Sequence, residues 1–114
     1  LNQTMLNDTI SKIEAKLQNS NSIKEERRTE LLNLLSTLKA EIASLSRTHD
    51  EQAQSIAAFT ELSTHEATRE EKNPELLKLS VQGLSTSVAG FENSHPQLVG
   101  LVNRIATTLS NMGI

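Results

Sequence analysis

The chain has 114 residues, 36% of them hydrophobic and 22% charged, with no cysteine, four glycines, two prolines and only two aromatic rings, Phe59 and Phe91. A core built from Leu, Ile, Val and Ala with so few turn formers suits packed helices rather than a sandwich or barrel. The expected fold class is therefore all-α, as one helical domain over 1–114. Net charge is −3, from 11 basic and 14 acidic residues. The densest basic spot, Lys24, Arg27 and Arg28, alternates with Glu25, Glu26 and Glu30, which argues for a solvated helix surface and against a nucleic-acid interface. Without cysteine there is no disulfide framework, thiolate metal site or thiol nucleophile. No apolar run approaches the roughly 20 residues that cross a bilayer, and no signal-peptide pattern opens the chain, so a soluble cytoplasmic protein is expected.

In chain order, Leu6, Ile10, Ile13 and Leu17 are spaced four, three and four, which places them on one helical stripe. The run Asn19-Ser-Asn-Ser22 breaks that pattern, and Ser22-Ile-Lys-Glu25 reads as a capping box that starts a second helix. Leu31, Leu35, Leu38, Ile42 and Leu45, widened by Leu34, repeat every three or four residues as a narrow, coiled-coil-like seam does. In phase, the next positions are His49, Gln52, Ile56, Phe59 and Ser63. Two polar residues and a second capping box at Thr48-His-Asp-Glu51 leave two readings, a break near 47–50 or one long helix. An unbroken helix from 23 to 71 would run about 70 Å and would need a partner to bury its seam. Residues 63–73 are polar and read as a solvated helix end or a linker.

Asn73-Pro74-Glu75 predicts a helix start: an N-cap, a proline whose missing amide costs nothing there, and an acid at the positive dipole end. Leu77, Val81, Leu84, Val88 and Phe91 form one seam, and Leu98, Val102, Ile105, Leu109 and Met112 another, with His95 in phase between them. A proline inside a helix costs about 3 kcal/mol, and Ser94-His-Pro-Gln97 is itself a capping box. An interruption at Asn93–Ser94 is favoured over a kinked single helix. Gly113 and Ile114 fit a Schellman closure with Ile114 on Leu109. The expected helices are 5–18, 23–46, 51–71, 75–92 and 96–112.

The tail FENSHPQLVGLVNRIATTLSNMGI resembles the C-terminal signature of a small bacterial family of uncharacterised proteins, domain-of-unknown-function family 4404. Its members end in a Phe-Glu-x-x-His-Pro-x-Leu block and an Asn-Met-Gly-Ile-like terminus. The matching positions are Phe91, Glu92, His95, Pro96, Leu98, Asn111, Met112, Gly113 and Ile114. The stretch LNDTISKIEAKLQNSNSIKEERRTELLNLLSTLKAEI resembles the family's opening helical hairpin, whereas residues 47–73 match nothing in it and read as an insertion or linker-like helix. The resemblance implies a short helical bacterial protein and no particular activity.

Glu92-Asn-Ser-His95 has the Glu-x-x-His spacing by which a helix presents two ligands to a di-iron centre. That centre needs a second such pair and further glutamates; Ser46 and Leu62 stand three residues before His49 and His65, and the seams hold no glutamate. The competing reading has His95 packed at a helix junction. Glu61 and His65 form an ordinary surface i, i+4 pair. His49 and Gln52 either set register in a seam or lie where the helix ends. No Gly-x-Ser-x-Gly turn or Gly-rich phosphate loop occurs, and Gly83, Gly90 and Gly100 read as points of close helix approach. Residues 76–114 carry only Lys78 and Arg104 as bases, a weak match to a membrane-surface helix. Taken together, the residues point to a non-enzymatic helical interaction or scaffold protein, with no catalytic, cofactor or metal site assigned. It would form a homo-oligomer, or bind a helical partner, through Leu84, Val88, Phe91, Leu98, Val102, Ile105 and Leu109. The alternatives are a metal-binding bundle using Glu92 and His95, or a peripheral membrane protein.

Overall fold

The computed structural model describes residues 2–112, which form five α-helices and no strand: α1 Asn2–Asn19, α2 Glu25–Leu45, α3 Asp50–Thr68, α4 Pro74–Ser87 and α5 Pro96–Met112. The all-α reading holds, and the radius of gyration of 13.1 Å matches the roughly 13 Å expected of a chain this long folded as one body. The closing turn expected at Gly113 and Ile114 lies outside the described residues.

The stripes predicted for α1, α2 and α5 form the core. Leu6, Ile10, Ile13 and Leu17 are buried, as are Leu31, Leu34, Leu35, Leu38, Ile42 and Leu45, and then Leu98, Val102, Ile105 and Leu109. Consecutive helices alternate in direction through short loops. Lys39 pairs with Glu14 at 3.0 Å while Arg28 Nε donates to the Leu17 carbonyl, so α1 and α2 run antiparallel. At the start of α2, Glu30 accepts from Thr108 Oγ1 at 2.9 Å, tying it to the end of α5.

Helix α3 departs from the sequence reading. It touches each of the other four helices, the only one among the described residues to do so. Its inward stripe is Ala53, Ala57, Thr60, Thr64 and Ala67, joined by Ile56 and Ser63, while Gln52 is exposed and Phe59 only half-buried. A stripe that packs against four neighbouring helices takes short side chains, because the axes approach closely there, while Glu61, Leu62 and His65 leave an outer face exposed. The threonines remain satisfied: Thr60, Thr64 and Thr68 each donate to the carbonyl four residues earlier, at 2.7, 2.8 and 2.7 Å. Ser63 Oγ, by contrast, is buried with no hydrogen-bond partner. The solvated end or linker expected over 63–73 is corrected for 63–68, while 69–73 is a connecting loop with Glu70, Glu71 and Lys72 exposed. Ser63, Thr64, Glu66 and Ala67 are buried, and Glu66 is neutralised by Arg69 at 2.9 Å.

The break between α2 and α3 is real, and the 70 Å rod does not form. None of the three expected capping boxes is seen, Ser94 Oγ pairing with the His95 ring at 3.0 Å. Ser22 Oγ pairs with Ser20 Oγ at 3.3 Å, and Thr48 Oγ1 with the adjacent His49 ring, while Lys24 and His49 stand as N-caps without a side-chain hydrogen bond to the helix. Asn73 does cap α4, accepting from Leu76 N at 3.1 Å, with Pro74 at the first helical position. Helix α4 ends at Ser87 instead of 92, and the interruption expected at 93–94 spans residues 88–95. Its cause is Gly90, which takes φ +99°, a value that ends a right-handed helix and suits glycine. Close helix approach holds only at Gly83, where a Cβ would overlap the Phe59 ring; Gly90 and Gly100 face open space.

Candidate functional site

The α4–α5 connector is where the sequence concentrated its candidates. Phe91 drops into the core at 9% exposure, and its carbonyl accepts from His95 N at 2.8 Å. The Glu92 carboxylate folds back onto the Gly90 amide, at 2.7 and 3.2 Å from its two oxygens. His95 then supplies the carbonyl that receives Val99 N at 3.2 Å, and Pro96 opens α5. The segment is a locally closed corner, with a strongly turned glycine, an acid that answers its amide and a phenylalanine that anchors it.

Packing brings a third ring to this corner from the other junction. His49, at the entry to α3, meets Phe91 with ring centroids 5.4 Å apart at 87°, and Phe91 meets His95 at 5.4 Å and 87°. The two imidazoles are 6.1 Å apart at 79°. Each Nδ1 shares a hydrogen bond with the hydroxyl of the preceding residue, Thr48 at 2.7 Å and Ser94 at 3.0 Å. Edge-to-face ring pairs contribute about 0.5–1.5 kcal/mol each. The cluster therefore locks the α2–α3 and α4–α5 junctions at one end of the bundle. His95 packs at a helix junction, as one sequence reading had it.

The di-iron-like pair does not assemble. Glu92 serves Gly90, His95 serves Ser94 and the rings, and among the described residues no group of three or more histidines and carboxylates gathers anywhere. His65 is engaged not by Glu61 but by Lys16, whose Nζ lies 2.9 Å from Nδ1 across the α1–α3 interface.

The seam proposed as a self-association surface is spent inside the chain. Leu84, Val88, Phe91, Leu98, Val102, Ile105 and Leu109 are all at most 9% exposed. Among the described residues no helix is long and apolar enough to cross a membrane. What remains outside is Leu62 on α3 with Leu76 and Leu79 on α4, exposed by 45, 42 and 54%, and Met5 on α1 at 61%. The sequence carried the signal for the α4 pair, since Leu76 and Leu79 lie off the Leu77–Leu84 stripe.

The family model described as Domain of unknown function (DUF4404) matches residues 31–114. The chain belongs to this family. None of the curated proteins and none of the solved structures compared matches it. The DUF4404 span includes residues 47–73, hence the central helix α3, together with both junctions of the ring cluster. Of the opening hairpin, α1 and the first turn of α2 precede it.

Proposed function

We propose that the protein is a non-enzymatic helical interaction or scaffold protein that self-associates through the outer face of the α3–α4 hairpin. The observation that carries this is the exposure of Leu62, Leu76 and Leu79 on two neighbouring helices. Scattered surface leucines need no explanation, whereas three on two packed helices offer one hairpin apolar area to bury in a contact. Glu61, Glu75 and Lys78 are exposed around them, so both charge signs rim the patch. A two-fold arrangement brings like apolar surface onto like and lets opposite rim charges meet. The non-enzymatic half of the proposal draws support from the histidines, whose neighbours are hydroxyls, rings and an ammonium.

Light scattering across a concentration series tests the proposal. The expected mass rises toward twice the 12.5 kDa of one chain, and the doubly substituted Leu62→Asp/Leu79→Asp chain stays monomeric with an unchanged helical circular-dichroism signal. A wild-type chain that remains monomeric throughout overturns self-association, and a variant that still dimerises overturns the chosen face.

A further inference from the structure

At the end of the bundle away from the ring cluster, Ser22, Ile23, Lys24, Arg27, Ala67, Lys72, Asn111 and Met112 line a cavity of about 300 Å³. That is the lower end of the size range of small-molecule sites. Three cations, two from the start of α2 and one from the α3–α4 loop, converge here, and the described lining residues include no carboxylate. The ion pairs of the described residues use Arg28, Lys39 and Arg69, so Lys24, Arg27 and Lys72 have no acidic partner among them. Of the acids near these cations in sequence, Glu25 pairs with Arg28, Glu66 with Arg69, and Glu30 accepts from Thr108.

Two of the cations already donate to main chain: Arg27 Nη1 to the Thr108 carbonyl at 3.5 Å, and Lys72 Nζ to the Ala67 carbonyl. A guanidinium has five N–H groups and an ammonium three, so both keep donors to spare. Ser22 and Asn111 add neutral hydrogen-bonding groups. Ile23, Ala67 and Met112 supply apolar wall, the first two at 9% and 1% exposure.

We infer that this cavity binds a small soluble phosphomonoester with a short apolar group. Three separately mounted positive charges suit a multiply charged tetrahedral head, whereas a planar carboxylate is matched by a single arginine fork. The apolar wall takes the rest of the ligand. This site is independent of the self-association face, and either can fail without the other.

The test is amide-shift titration of the full chain at low salt with inorganic phosphate, with phenyl phosphate, and with vesicles containing phosphatidate. The expected result is saturable shifts at Ile23, Ala67 and Met112, with phenyl phosphate bound more tightly than phosphate alone. Substituting Lys24→Gln and Lys72→Gln together, both exposed side chains, weakens binding by about tenfold or more, the scale of one lost charged hydrogen bond. The Lys12→Gln/Arg104→Gln pair removes the same charge elsewhere on the surface and leaves affinity unchanged. Non-saturable shifts, equal weakening by both pairs, or binding to vesicles alone overturns the inference. So does phenyl phosphate binding no better than phosphate.

Discussion

Gly90 and Gly100 are both exposed, and neither has a neighbour within 4 Å of where a Cβ would stand. Sterically they are alike; conformationally they are opposites. Gly90 holds φ at +99°, outside the range an L side chain adopts comfortably, whereas Gly100 lies within α5. Replacing Gly90 with alanine is expected to cost about 1–3 kcal/mol, the usual penalty for a strained backbone conformation. The same change at Gly100 is expected to stabilise by about 1 kcal/mol, because alanine is the better helix former. Urea denaturation of the two variants checks this, and shifts of the same sign would show that the α4–α5 corner is not set by Gly90.

At the scale of the element, α5 is the helix whose inward stripe was most plainly written, and Ile105 sits in its middle at 1% exposure. Truncation to alanine is expected to destabilise by about 2–5 kcal/mol, measured as a shift in denaturation midpoint at constant slope; a change near zero would place the side chain outside the core. Helices like α1, α2 and α5 were legible because their buried positions are Leu, Ile and Val, which recur visibly every three or four letters. Helix α3 was not, because its stripe is Ala53, Ala57, Thr60, Thr64 and Ala67. It keeps the right period in residues chosen for small volume. Hydropathy reports which side chains shun water, and at a crowded helix the deciding property is size. The candidate site divides in the same way. The corner around Phe91 and His95 could be read locally, since proline, the capping pattern and the seam all sit within a few residues. Its third ring, His49, arrives from over forty residues away in the chain, and only the packing of α3 brings it there.

On the scale of the whole molecule, the connections sort themselves to two ends. The 46–49 and 88–95 segments meet at the ring cluster, while the 20–24 and 69–73 segments and the end of α5 surround the cationic cavity. If the rings clamp the two junctions, His49→Ala and His95→Ala should be non-additive, with a coupling of about 0.5–1 kcal/mol in a double-mutant cycle. Additive losses would mean that the imidazoles only fill space.

The ladder of threonine hydroxyls on α3 has one more bearing. An isolated helix of 19 residues that carries three threonines and two serines is marginal in water, so α3 leans on the helices around it. Those neighbours, in turn, have no shared centre without it. Peeling away either flank would unravel the axle on which the other turns, and the domain would lose its order in a single step, with no half-built form at which to pause.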